Sequence, residues 1–443
     1  MADDLGFNDL DWKDTRLFTP NLRRLAFSKN SVQFHNSYVS QLCTATRSAF
    51  MTGRYPFKVG TQEGVLLHME PAGISPEFRF LPEHLKRLNY RSYIVGKWHL
   101  GYCNKMYLPT NRGFESFSGF YGPQMGYFNH SIDYYRKKQV IRGLDLFHEN
   151  GNGQSIPLFS KNNIYSTDLF LQETLNVLNH HNPKDPFFHF LSFQSVHPPL
   201  QAEPHLMKYC RAFDNDLSRK TYCAMLLSMD LAIGKLIAYL KIKGFYDNTI
   251  IIFSSDNGGA VRFGASNYPL RGEKDSLWEG GTRTNTFLHS PQFIKKFTIR
   301  KELFHVVDWH ATILGIAGAD LDFYADGINQ WPSILFSKNS NFNRKSFVYN
   351  IGKKHSAIRV GSFKLLFEGN PYVPIKYGKV WLFNIDKDPK ETRDLSKFNR
   401  GLVTLLMSKL DAYIKEAVPS IRKSLSFRGH PKFYNGSYSS GFC

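Results

Sequence analysis

Acid is scarce in this chain. Across 443 residues, 37 Asp and Glu face 56 Lys and Arg, a formal net charge of +19. That balance favours anionic partners such as nucleic acid, membrane headgroups or sulfated polysaccharide. There is no long Lys/Arg block and no zinc-finger or RNA-recognition signature, which argues against nucleic acid. No uninterrupted apolar run reaches the ~20 residues of a membrane span, and no internal repeat or low-complexity tract interrupts the pattern. No signal peptide is legible either. The opening Met1-Ala2-Asp3-Asp4-Leu5-Gly6 reads as the end of a strand whose earlier residues are missing, so the lack of a targeting segment decides nothing. Cysteine is sparse and odd in number: with Cys43 set aside, Cys103, Cys210, Cys223 and Cys443 allow three pairings, and free thiols stay open.

What is present is an alternation of helices and apolar strands. Thr19-Pro20 opens a short helix through Phe27, with Thr19 as N-cap and Pro20 at the first position. Pro82–Leu88 reads as a helix and Tyr90–Val95 as a strand that runs into Gly96-Lys97-Trp98-His99-Leu100-Gly101. Residues Cys103–Ser160, rich in aromatics, Gly and Asn, read as long loops with short strands. A helix over Ser166–His180 precedes a buried strand, Phe187–Phe193, that ends in Gln194-Ser195-Val196-His197-Pro198-Pro199. Arg219–Lys243 is a long amphipathic helix stopped by Gly244. Thr249–Phe253 then reads as a strand buried on both faces of a parallel sheet, ending in Ser254-Ser255-Asp256-Asn257-Gly258-Gly259. This pattern predicts an α/β doubly wound sheet whose strands carry polar groups at their carboxyl ends, where ligands bind in open sheets. From about Ser333 short antiparallel strands and a helix over Leu402–Val418 predict a smaller α+β unit, so the chain divides into 1–332 and 333–443.

The stretch Gln41-Leu42-Cys43-Thr44-Ala45-Thr46-Arg47 places Cys43 in the first turn of a short helix that Gly53 ends. Unpaired N–H groups and the positive dipole end there favour an anion, and Arg47 one turn on shares the face. A lone cysteine is ordinarily a buried thiol. Asp3, Asp4, Asp256 and Asn257 are oxygen ligands suited to a hard cation such as Ca²⁺ or Mg²⁺, although Asp-Asn-Gly-Gly alone is more often a turn. Lys97, His99, His197 and Lys274 supply cationic groups; most of the sixteen histidines, including His35, His84, His305 and His310, read as structural.

Cys43–Arg47 followed by Thr52-Gly53-Arg54 resembles the sulfatase signature C-x-P-S-R with its T-G-R, with Ala45 where proline is usual. Asp3-Asp4, Asp256-Asn257 and Leu382-Phe383-Asn384-Ile385-Asp386-Lys387-Asp388-Pro389 resemble the same family in order. Leu108–Phe114, Gln194–Gln201 and Pro269–Arg283 resemble its arylsulfatase B group. The resemblance implies an alkaline phosphatase-like fold: a large mixed, mostly parallel sheet flanked by helices, with a smaller C-terminal antiparallel sheet. It also implies a formylglycine made from Cys43 by the formylglycine-generating enzyme, and a Ca²⁺ or Mg²⁺ ion held by Asp3, Asp4, residue 43, Asp256 and Asn257. Arg47 and Lys97 would hold the anion, Asp256 would serve as base, His197 or Lys274 would act at the leaving oxygen, and His99 would assist release of sulfate. The implied substrate is N-acetylgalactosamine 4-sulfate in dermatan or chondroitin sulfate, and the implied setting is lysosomal or secreted. Asn129-His130-Ser131 and Asn435-Gly436-Ser437 would then be glycosylation acceptors. Two competitors differ in kind: a phosphate or phosphonate ester hydrolase, which would present Ser or Thr as nucleophile, and an inactive glycosaminoglycan-binding relative.

Overall fold

The computed structural model describes residues 1–136, 139–151, 153–319, 325–336, 343–372 and 378–443. Within the 333–443 segment, 337–342 and 373–377 therefore lie outside the described residues. In chain order, α1 (Pro20–Ala26), β1 (Ser31–Tyr38), α2 (Cys43–Thr52), α3 (Pro56–Val59), α4 (Leu81–Leu85), β2 (Arg91–Lys97) and β3 (Ser116–Phe120) come first. The next group is β4 (Ser131–Arg136), β5 (Gln139–Leu144), β6 (Phe147–Glu149), β7 (Ser155–Pro157), α5 (Ser166–His180), β8 (Phe187–Ser192), α6 (Leu217–Ile242) and β9 (Ile251–Phe253). Then follow α7 (Glu279–Thr282), β10 (Thr286–His289), β11 (Thr298–His305), α8 (Val306–Ile316) and α9 (Trp331–Phe336). The C-terminal part adds β12 (Ser346–Ile351), β13 (His355–Val360), β14 (Phe363–Glu368), β15 (Lys379–Asn384) and α10 (Arg400–Ile414).

Two sheets form the centre. One has the order β11-β1-β10-β9, the other β7-β6-β3-β2-β8. The pairs β1–β11, β2–β3 and β2–β8 are parallel. The first residues of the chain knit the sheets together: Met1 O accepts from Phe193 N at 3.0 Å, and Ala2 N donates to Ser254 O at 2.9 Å. The edges of β8 and β9 otherwise face each other across an apolar cavity of about 490 Å³. Between β2 and β8 the approach is so close that a Cβ on Gly96, which has φ of +105°, would lie 1.8 Å from Ser192 O. Only glycine is tolerated in that position.

The 103–160 segment does hold short strands between loops, and one of them, β3, is a buried strand of the central sheet. Its sequence, Ser-Phe-Ser-Gly-Phe, is too short and too rich in small residues to display a period. Two expectations need correction. Strand β9 pairs antiparallel with β10, not with parallel neighbours; a short apolar run does not encode the direction of its partner. Thr19 precedes α1, but its hydroxyl accepts from Asp11 N at 3.0 Å instead of capping the helix.

Helix α6 is long and apolar enough by composition to cross a membrane, yet most of that window is buried inside the molecule, where it packs against α1 and α5. The C-terminal sheet, β12-β13-β14-β15, is wholly antiparallel. Its inward residues Phe347, Tyr349, Ile358 and Leu365 join the same buried cluster as Tyr38, Phe50 and Trp98. Side chains of this size each contribute roughly 1.5–3 kcal/mol by leaving water, so the small sheet is held on by core, not by a hinge. Cys103 pairs with Cys443 and Cys210 with Cys223, leaving Cys43 as the free, buried thiol.

Candidate active site

The carboxyl ends of β2, β8 and β9, the first turn of α2 and residues 3–4 converge on one buried cluster. Helix α2 begins at Cys43, with Leu42 extended before it, and ends on Gly53 in the left-handed conformation, as the sequence predicts. All ten of its residues are buried. A Cβ on Gly53 would lie 2.8 Å from the His310 ring, so the stop is also a packing requirement. The buried N-terminus directs the N–H groups around Cys43 at an enclosed site, where an anion is favoured.

Arg47 crosses the floor. Its Nε and Nη2 donate to Asp256 Oδ2 at 3.1 and 2.8 Å, and its Nη1 donates to Lys97 O at 3.0 Å and to Ser192 Oγ. Lys97 Nζ donates to Asp3 Oδ2 at 2.6 Å, and Lys274 Nζ to Asp4 Oδ2 at 2.8 Å. Asn257 Nδ2 donates to Asp4 Oδ1 at 2.7 Å, while His197 Nε2 lies 3.7 Å from Asp4 Oδ2. Thus Asp3, Asp4, Arg47, Lys97, His197, Asp256, Asn257 and Lys274 are connected through direct contacts. Cys43 feels the charges of Lys97, Lys274, Asp256 and Asp3, and His99 feels those of Lys97 and Arg47.

Burial sets the protonation states. It pushes the Cys43 thiol up, against the pull of Lys97 and Lys274, so as a thiol the side chain is not an activated nucleophile. Burial and then Asp256 push Asp3 up to about 7, with Lys97 opposing. Burial would also raise Asp4, but Lys274 and His197 hold it below the usual carboxylate range. His99 is held well below its ordinary value by burial, Lys97 and Arg47. Its Nε2 faces Leu66 O at 2.9 Å and Thr44 Oγ1 at 3.1 Å. A carbonyl can only accept, so Nε2 carries the proton and Nδ1, buried without a partner, is the basic nitrogen. His197 is likewise depressed by burial and Lys274, and its Nδ1 donates to Pro198 O at 2.6 Å.

The donor set fits a hard cation. Asp3 Oδ1 and Asn257 Oδ1 are buried with no hydrogen-bond partner, a state that costs about 1–3 kcal/mol each unless a ligand answers it. Ligand atoms of Asp3, Asp4 and His197 lie within 4.8 Å of one another. Carboxylate and amide oxygens select Ca²⁺ or Mg²⁺ over softer metals.

Ser192 and Thr44 escaped the sequence reading, since their task is to hold Arg47 and His99. Asn267 escaped it too: its Oδ1 accepts from Gly259 N at 2.9 Å and from Phe7 N at 3.3 Å, tying the loops after Asp4 and Asn257. A polar residue closing the β8 run was the only available signal for Ser192.

Residues 1–319 match the Sulfatase family profile. Arylsulfatase J of Mus musculus is 36% identical over 98% of this chain and 78% of its own length. N-acetylgalactosamine-6-sulfatase of Rattus norvegicus is 29% identical over 82% of this chain and 70% of its own. The solved structure of Ps i-CgsB in complex with k-i-k-neocarrahexaose superposes with a TM-score of 0.81 at 30% identity, covering 94% of this chain and 92% of that one. The architecture is accordingly the alkaline phosphatase-like one. A profile match across most of the chain, joined to 36% identity along nearly all of it, is more than a shared fold provides: the chain belongs to the sulfatase family and is a sulfuric ester hydrolase.

Proposed function

We propose that the protein is a formylglycine-dependent arylsulfatase that removes the 4-sulfate of N-acetylgalactosamine units in dermatan or chondroitin sulfate. The observation that carries this reading is the placement of Cys43 at a buried helix N-terminus among Lys97, Lys274 and the Asp3–Asp4–Asp256–Asn257 oxygens. For the sugar, support comes from a relative named for N-acetylgalactosamine and from the likeness of residues 108–114, 194–201 and 269–283 to the arylsulfatase B group.

Asp3, Asp4, Asp256 and Asn257, with residue 43, would hold the divalent ion. With the ion bound and residue 43 converted to formylglycine, that site would supply the nucleophile for sulfur. The chain's own groups do the rest. Lys97 and Lys274 present fixed positive charge to the non-bridging oxygens, and Arg47 anchors Asp256 as a base beside residue 43. Lys274 is assigned the charge or proton that the departing alcohol needs, with His197 beside it on Asp4. His99, neutral with Nδ1 unprotonated, is set to take a proton from residue 43 when sulfate leaves.

Two disulfides match an oxidising compartment, which supports a lysosomal or secreted enzyme that meets the formylglycine-generating enzyme on its way. We assign catalysis to residues 1–332 and treat 333–443 as its C-terminal support. The test compares sulfate release from N-acetylgalactosamine 4-sulfate and 6-sulfate oligosaccharides, and from an aryl sulfate and an aryl phosphate. Preference for the 4-sulfate and for sulfate over phosphate is expected; faster release from the 6-sulfate would overturn the assigned position, and faster phosphate release the assigned chemistry.

A further inference from the structure

A second cleft, of about 950 Å³, lies beside the N-terminal loop and contains none of the catalytic or ion-ligand residues assigned above. It is at the upper end of the ~300–1,000 Å³ of ordinary ligand sites. Its walls are built by the continuations of two active-site loops. Phe7 and Asn8 follow Asp4, while Tyr268, Pro269 and Leu270 lead toward Lys274. Asn267 binds Phe7 N and Gly259 N together, so the cleft and the oxygen-ligand loop share one support.

Four cations, Lys13, Arg16, Arg283 and Lys301, line this cleft against two acids, Asp14 and Asp386. Lys13, Lys301 and Arg283 all act on His35, which burial and these three cations keep below its ordinary value. The acids on the wall are already engaged: Asp14 is bound by Arg16 at 2.8 Å, and Asp386 by Arg359 at 2.8 Å. Arg283 spends its Nε and Nη2 on His35 O, which leaves Lys13 and Lys301 as exposed cations. Neither makes an ion pair with a carboxylate among the described residues. Lys13 Nζ sits 4.2 Å from the Phe7 ring centroid. Crowded, uncompensated cations of this kind gain when an anion enters. Trp12 and a largely exposed Tyr268 add ring faces beside them, surfaces on which a sugar ring packs.

We propose that this cleft is a second anion site, which takes a sulfate or carboxylate on another sugar of the polysaccharide being cleaved at residue 43. Its position on the extensions of the two active-site loops favours a polysaccharide over a nucleic acid. The proposal rests on the polymeric substrate argued above, and its test separates the two. Binding of a dermatan sulfate octasaccharide is measured with Cys43→Ala protein, parent and Lys13→Glu/Lys301→Glu, at two salt concentrations. A Lys241→Glu/Lys243→Glu pair on α6 and the turn after it controls for net charge. Turnover of the octasaccharide and of a small aryl sulfate is compared in the Cys43 proteins.

The expected result is about a tenfold loss of octasaccharide affinity, the yield of two lost charge contacts, with a shallower salt dependence. The ratio of octasaccharide to aryl sulfate kcat/KM should fall by a similar factor, and the α6 pair should show neither change. Equal loss in the α6 pair, or an unchanged ratio with unchanged binding, overturns the proposal. So does an oligothymidylate that binds as tightly and suffers the same loss, since the cleft would then read bare polyanion charge. If the parent hydrolyses neither substrate, the proposed function fails, while the binding arm still decides the cleft.

Discussion

Two of the buried arginine–carboxylate pairs, Arg344–Asp308 and Arg47–Asp256, differ in a way that marks one as a site. Asp308, at the start of α8, accepts from Arg344 through Nε at 2.8 Å and through Nη2, from His305 N at 2.9 Å, from Ile328 N at 2.8 Å and from Gln330 Nε2 at 2.9 Å. Both of its oxygens are occupied. The pair Arg47–Asp256 is as deeply buried, yet its neighbours Asp3 and Asn257 each keep an oxygen with no partner. A complete network rigidifies a core, whereas an incomplete one is costly without a ligand. Depth of burial therefore does not distinguish structure from function here. What differs is the kind of open atom: two ligand oxygens beside Asp256, against the single ring nitrogen of His305 beside Asp308.

The contrast can be broken from both sides. The largest effect should come from Cys43→Ala, which removes the reacting side chain from the incomplete cluster: sulfate release should fall at least on the order of 10⁴-fold, with a melting temperature close to the parent's. Arg344→Ala should do the reverse, costing about 3–5 kcal/mol by leaving Asp308 buried and unpaired, with kcat/KM per folded molecule preserved. Chemical denaturation and titrated active sites separate the two quantities. Lys274→Ala should lower kcat by about 10²–10³-fold; if it instead loses stability as Arg344→Ala does, the two clusters are of one kind.

The open oxygens supply the next test. Ca²⁺ or Mg²⁺ at a hundred times its Kd should raise stability by about 2.7 kcal/mol, a shift read by calorimetry. Asp3→Asn should remove it and Arg344→Lys should keep it. A shift that survives Asp3→Asn would place the ion elsewhere. The smallest effect concerns Glu391, which accepts from Glu279 N at 2.7 Å and lies 2.8 Å from Lys364 Nζ. Burial, with Glu279 nearby, pushes it up to about 7 despite Lys364. The folded state then binds a proton that the unfolded state, near its ordinary value of ~4.5, releases earlier. This contribution is complete below that value and is lost as pH rises toward 7. Glu391→Gln should flatten the decline relative to the parent over that window, measured as the difference in melting temperature.

Much of this was legible in the chain. Ser166–His180 and α6 show long apolar periods, and Gly53 stops α2 where glycine is needed. The Cys43–Arg47 motif, Asp3-Asp4 and Asp256-Asn257 point to the cluster from sequence alone. What stayed hidden was non-local. The polarity of β9's partner depends on β10, more than thirty residues on. Ser192, Thr44 and Leu66 O act by positioning other groups, and no spacing announces that. The cationic cleft brings Lys13 and Lys301 together from distant stretches whose charges look like ordinary surface in sequence.

The most direct test is the mass of the peptide spanning Cys43 in protein purified from its natural host. Most of that peptide should carry an aldehyde in place of the thiol and react with a hydrazide probe. Unmodified thiol throughout, in protein that still releases sulfate, would contradict the account.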